Sequence, residues 1–179
     1  MRNRPRISTG RSTARCRTAR TGVFVAIISG IVLAAPAWAA QSECDRASQR
    51  GDWPTALLSC ELQAQDGDAS AQFTLGTMYF RGQGVSVNTT EAARWYRRSA
   101  ERGNIIAQTE LGVMYAAGIG VPKDYVLAHM WLDLAASAPN GGRRAAAKRT
   151  IIERSMLPVE IAEARKRAKA WKVRRGGYR

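Results

Sequence analysis

The chain has 179 residues, 28 Lys plus Arg against 14 Asp plus Glu for a formal charge of +14, and 45% apolar residues. That apolar content excludes a disordered polycation, and the length leaves room for one domain rather than a large two-domain enzyme. With one His (His129) and three Cys (Cys16, Cys44, Cys60) in the whole sequence, a four-ligand Cys/His zinc site beyond the first 39 residues is excluded too.

The charge is unevenly spread. Residues 1–39 hold seven Arg and no acid, residues 40–142 hold 8 bases against 11 acids, and residues 143–179 hold 13 bases against 3 acids. The first segment is Arg-rich to Arg20, apolar from Val23 to Ala35, and ends in Pro36 and the triplet Ala37, Trp38, Ala39. This order predicts a secretory signal peptide over 1–39. The alternative is an uncleaved anchor, because extending the apolar run through Ala40 approaches the ~20 residues that span a bilayer. Either way the remainder is expected outside the cytoplasm: periplasmic or secreted, or anchored in the inner membrane and facing the periplasm. The leader's arginines then serve targeting, and nucleic acid is not an expected partner.

Residues 40–66 read as a helical hairpin, with Gly51, Asp52 and Pro54 making a turn and a helix start. Cys44 and Cys60 are each eight residues from position 52, so antiparallel arms bring them opposite one another. In an oxidising compartment they are expected to form a disulfide, the alternative being two buried free thiols.

Sliding the chain against itself by 36 positions aligns Gly67 with Gly103, Ala71 with Ala107, Gln72 with Gln108, Leu75 with Leu111 and Gly76 with Gly112. Met78 and Tyr79 then meet Met114 and Tyr115, Gly82 and Gly84 meet Gly118 and Gly120, and Trp95 meets Trp131. Ala56, Ala92 and Ala128 keep the same step. A period in the range of about 20 to 50 residues marks stacked repeats. Within a unit, Ala71, Leu75, Met78 and Tyr79 lie on one helical face, and the glycine pair breaks the run. A second helix starts near Thr90, carries Ala92, Trp95, Tyr96, Ser99 and Ala100 at steps of three and four, and stops at Gly103. Gly76 and Gly112, inside helices, imply a close approach of the paired helix, with Ala92 and Ala128 as its small residues. Trp95, Tyr96 and Trp131 are expected to pack in the core.

The string from Ala92 to Asn104 (AARWYRRSAERGN), followed by Ala107-Gln108, Leu111 to Tyr115 and Gly118 to Val121, resembles the Sel-1-like repeat, a relative of the tetratricopeptide repeats. The resemblance covers about residues 56 to 140. Met130 to Ala136 and Leu157 to Ala164 are similar to the way many secreted bacterial members finish. It implies an all-α, short right-handed solenoid of antiparallel helix pairs, about eight helices after the leader. The expected organisation is a hairpin at 40–66, repeats at 67–140, and capping helices with a basic tail at 141–179. The third unit, which has Pro139 to Gly142 in place of a smooth continuation and lacks the Gly-x-Gly turn, reads as a cap. The implied function is a protein-interaction scaffold without catalysis or cofactor. In tetratricopeptide relatives the first helix of each pair lines the concave surface. Carried over from Gly76 and Gly112, this implies partner contacts at Phe73, Thr77, Phe80 and Arg81 and at Thr109, Val113 and Ala116, with Phe80 and Arg81 as anchors.

Other chemistry is weakly represented. The glycine pairs follow no strand and recur at the repeat period, which makes them helix-to-helix turns rather than phosphate loops. His129 has no nucleophile at a recognisable spacing and reads as structural or exposed. Asp124 reads as a helix cap. Some cysteine-rich relatives have been associated with β-lactam binding or hydrolysis, but two cysteines and no Ser-x-x-Lys make that a weaker alternative. From Pro158 onward, Ile161, Ala164, Ala168 and Trp171 form a narrow apolar stripe on an otherwise basic helix. It either docks on the last repeat, or lies on an anionic membrane surface or binds an acidic partner.

Overall fold

The computed structural model describes residues 42–138 and 142–176. The predicted leader with Cys16, and Pro139 to Gly141 of the predicted cap, lie outside the described residues. Eight helices follow in order: α1 (Glu43–Arg50), α2 (Trp53–Gln65), α3 (Ala69–Arg81), α4 (Thr89–Glu101), α5 (Ile105–Ala117), α6 (Tyr125–Ala136), α7 (Arg143–Glu153) and α8 (Pro158–Gly176). The fold is the expected all-α stack, with no strand among the described residues.

The helix boundaries repeat because the capping chemistry repeats. Asp52, Asn88 and Asp124, spaced 36 apart, accept the amides of Thr55, Glu91 and Leu127 at 3.3, 3.0 and 2.8 Å and start α2, α4 and α6. Asp68 and Asn104 do the same for α3 and α5 through the amides of Ala71 and Ala107 at 2.7 and 3.0 Å. Gly82 and Gly118 end α3 and α5 in the left-handed conformation, their N–H groups donating to the carbonyls of Met78 and Met114. Asn88 N–H then donates to Tyr79 carbonyl oxygen, and Asp124 N–H to that of Tyr115, both at 2.9 Å, so the Gly-x-Gly turns close back on their own helices.

From α1 to α7 each helix packs on the next, and four glycine contacts set how closely. A Cβ on Gly76 would lie 2.6 Å from the Tyr96 ring, and one on Gly112 would lie 2.7 Å from Leu132 Cγ and 3.1 Å from the Ala128 carbonyl oxygen. The neighbour is therefore the residue one turn beyond the expected alanine. Ala128 approaches nearest through its carbonyl, and Ala92 is buried but lies behind Tyr96 in closeness to Gly76. A Cβ on Gly84 would lie 2.7 Å from Trp53 Cβ and one on Gly120 would lie 2.1 Å from the Thr89 carbonyl oxygen. Trp53 and Thr89 are themselves 36 apart and open α2 and α4, so the second glycine of each turn rests on the start of the preceding unit's second helix. Gln72 and Gln108 are buried and donate to the carbonyls of Ala64 and Ala100 at 3.0 and 3.1 Å, repeating one side-chain tie between units.

Cys44 and Cys60 are fully buried and bonded to each other, with Cα atoms 4.6 Å apart. The bond clamps α1 to α2 in a small cluster completed by Ala47, Ala56, Ala64, Ala71, Leu75 and Met78. Trp131 is in the core at 5% exposure, whereas Trp95 is only half-buried, with the Arg98 guanidinium 4.5 Å above its ring. Trp95 still packs against the N-terminal cluster, but from its rim, with the Arg98 guanidinium over one face of the indole.

At the other end α6 is held from two sides. α7 continues the 36-residue register of α5, since 143–153 matches 107–117, whereas α8, instead of pairing with α7, packs on α6. Ala164 and Ala168 are buried, Ile161 is half-buried, and the Trp171 ring meets Trp131 edge-on with centroids 5.9 Å apart. His129 on α6 is fully buried, its Nε2 2.7 Å from Glu153 Oε1 at the end of α7, with Nδ1 lacking a partner. Arg149 pairs with Asp133 and lies 3.7 Å from Glu153, and Arg165 of α8 approaches the same carboxylate at 3.6 Å. His129 is thus a structural tie between the last three helices. Its hydrogen bond, with Arg149 and Arg165 nearby, holds the Glu153 carboxyl below the usual carboxylate range.

Two outcomes follow. A crosslink with a sequence separation of 16 is worth about 3 kcal/mol in the chain-entropy model, so reduction, or Cys44→Ser with Cys60→Ser, should lower the urea midpoint by that equivalent. Because the Glu153 pKa is depressed in the folded state, its contribution is complete above the ordinary carboxylate range and is lost as pH falls through that range and below. The stability difference between the parent and Glu153→Gln should therefore shrink on acidification, as read by urea midpoints measured across pH.

Candidate functional site

The first helices of the units, α3 and α5, face one cavity and are followed by α7 in the same register. Between them lies a groove of about 400 Å³, lined by Phe73, Thr77, Phe80 and Arg81 from α3, Tyr96 from α4, Ile106, Glu110, Val113 and Met114 from α5, Ile119 from the turn, and Arg144 from α7. Two depressions continue it. One of about 240 Å³ shares Phe73, Thr77 and Arg81 and reaches Ser48 and Gln49 of α1. The other, about 320 Å³, shares Val113 and reaches Lys148, Ile151 and Ile152 of α7. The row of first helices therefore presents one continuous corrugated surface.

The floor of the groove is built and its rim is open. Phe73 and Tyr96 pack with ring centroids 5.5 Å apart. Thr77 Oγ1 donates to the Phe73 carbonyl at 3.1 Å, so its one proton is spent and the Tyr96 hydroxyl, 3.1 Å away, donates to it. Burial pushes the Tyr96 phenol above its ordinary value. On the rim Phe80, Ile106 and Ile119 are 39%, 54% and 37% exposed, an apolar cluster left in water. Arg81 is exposed, and Arg144 pairs with Glu110 at 3.3 Å.

Of the residues expected to contact a partner, Phe73, Thr77, Phe80, Arg81 and Val113 line this one groove. Ala116 lies in the neighbouring depression toward α7. Thr109 does not reach the surface. It is 5% exposed, and its hydroxyl donates to the Ile105 carbonyl at 2.8 Å. In α3 the matching position is the large Phe73, which reaches the groove and lines its floor, whereas threonine stops at the backbone. Sequence reasoning missed Ile106, Glu110 and Arg144. The first two sit where α5 faces the preceding unit, the same side that Thr74 occupies on α3; the 36-residue step carried through those positions would have found them. Arg144 had no such signal, because α7 keeps the register of α5 without its residues.

The other concavity of note is basic, lined by Arg94, Arg97 and Arg98 of α4 with Gly120 and Val121. Each guanidinium is already engaged: Arg94 with Glu91 at 3.1 Å, Arg97 with the Tyr115 hydroxyl, and Arg98 with the Trp95 ring. Among the described residues no three His, Cys, Asp or Glu side chains converge as metal ligands.

Comparison with known proteins fits this geometry. Residues 69–104 and 105–140 match the family model of the Sel1 repeat. Each match starts at the first residue of an odd-numbered helix and includes the even-numbered helix after it. Among solved structures the chain is similar to a protective antigen present in uropathogenic Escherichia coli strains, which displays an SLR fold. That match has 29% identity and a TM-score of 0.62, and covers 75% of this chain and 27% of that one. It is also similar to a Sel1 repeat protein from Oxalobacter formigenes, at 37% identity and a TM-score of 0.52 over 54% of this chain and 28% of that one. The chain thus spans a little over a quarter of either structure's length. No curated protein matches it.

Proposed function

The chain carries two Sel1 repeats, and on that footing we propose that it is an extracytoplasmic adaptor that holds a segment of another protein along its row of first helices. Sel1 repeats generally mediate contacts between proteins. The observation that carries the reading here is the groove between α3 and α5. Five residues assigned from the repeat pattern meet there, and three large apolar side chains stand exposed beside them. Aromatic and arginine side chains next to a preformed concavity are what protein interfaces use as anchors, which favours Phe80 and Arg81 as the main contacts. The floor below them is fixed by the Thr77 and Tyr96 hydrogen bond and needs no reordering on binding.

Export of the repeats rests on the leader-like residues 1–39. The disulfide between Cys44 and Cys60 supports the same compartment, because such bonds persist in oxidising surroundings. It also weighs against thiol-based β-lactam chemistry, since each of these sulfurs is bound to the other and neither is a thiolate nucleophile.

A photo-crosslinking residue at Phe80 should give a discrete protein adduct in the intact cell envelope, and one at Arg94 should not. Arg81→Glu should remove that adduct while shifting the urea midpoint by less than about 0.5 kcal/mol equivalent, as expected for an exposed position. Identical adduct patterns from Phe80 and Arg94 would refute the assignment.

A further inference from the structure

α8 docks with one face and presents another. Ala164 and Ala168 are buried against α6. Nine residues are two and a half helical turns, so Val173 stands opposite Ala164 and Val159 stands opposite Ala168. Both valines are exposed, Val159 at 70% and Val173 at 68%. Ala162, Lys166 and Ala170, all exposed, fill the line between them at steps of three and four. Between Arg165 and Arg174 the helix carries six exposed bases, against Glu160 and Glu163 as its acids. Glu163 is paired with Arg167 at 2.8 Å and Glu160 caps the helix start through Leu157 N–H at 2.7 Å. Lys166, Lys169 and Arg174 have no acid within ion-pair distance among the described residues.

From this arrangement we infer that α8 holds the protein against an anionic lipid surface. The helix lies in the plane of the headgroups, its outward valines in the interfacial layer and Lys166 and Lys169 over lipid phosphates. This surface is separate from the groove and does not depend on the adaptor reading. Charge complementarity alone fits any polyanion, but a nucleic acid would leave Val159 and Val173 in water, whereas the bilayer interface accommodates both the apolar line and the cations. Spanning is not the mode, because none of the described helices is long and apolar enough to cross a membrane. Docking through Ala164, Ala168 and Trp171 means that the helix is already formed when it meets lipid, so no coil has to be ordered at the surface.

The test uses the full chain and vesicles of mixed phosphatidylglycerol and phosphatidylcholine at physiological ionic strength. The arginines of residues 1–39 contribute equally to the parent and to each variant. Lys166→Gln with Lys169→Gln should weaken partitioning about tenfold. Val159→Ser with Val173→Ser, which keeps every charge, should weaken it severalfold while leaving binding to duplex DNA unchanged. All four side chains are exposed, and unchanged far-UV circular dichroism verifies that the variants fold. Undiminished partitioning of the lysine variant would overturn the inference. A lysine variant that loses binding beside a valine variant that does not would also overturn it, reducing the contact to a general affinity for polyanions.

Discussion

The constraint on which the rest depends is the closeness of the two helices within each repeat. Gly76 under the Tyr96 ring and Gly112 under Leu132 leave no room for a methyl group. A glycine in a helix interior costs about 1 kcal/mol against alanine, and here the short distance between helix axes offsets it. That distance brings Tyr96 through to the far side of α3, where its ring packs on Phe73 and its hydroxyl meets Thr77. The floor of the groove is therefore a consequence of the glycine, since a pair of helices held farther apart would leave Tyr96 short of Thr77.

A second set of contacts turns helix pairs into a stack. Gly84 rests on Trp53 and Gly120 on Thr89, and the buried amides of Gln72 and Gln108 reach back to the preceding helix. These contacts recur at the repeat step and join each unit to the one before it, so a solenoid of this kind gains stability from its neighbours more than from each pair. The ends are handled differently. The N-terminal hairpin, which among the described helices packs on α3, has a disulfide in its small core. At the C-terminal end α7 and α8 close over α6, and the His129, Glu153, Arg149 and Arg165 cluster ties the three together.

Much of this was legible in the sequence because the repeat writes the same physical demand twice. Gly76 and Gly112, the Gly-x-Gly turns, and the cap at Asp124 are each determined by local backbone or by contact with the same position in the next unit. The partner of each helical glycine was misjudged by one turn, since spacing alone does not say whether Ala92 or Tyr96 crosses nearest. The half-exposed face of Trp95 was illegible for a related reason: it lies between two units, and the helical period does not separate a rim from a core. The residues expected on α3 all line the groove, and those expected on α5 only in part. Thr109 occupies the place of Phe73 but is too short to emerge, and Glu110 and Ile106 serve the opposite edge. The His129 and Glu153 pair joins residues 24 apart across helices that do not repeat, and no periodic signal reports such a contact.

Gly112→Ala tests the central constraint most directly, because two effects predict opposite signs. Helix propensity alone would stabilise the variant by about 1 kcal/mol. The close approach to Leu132 and the Ala128 carbonyl should reverse that, lowering the urea midpoint by the equivalent of about 1 to 3 kcal/mol through overpacking. A midpoint that rises in the alanine variant would contradict the account.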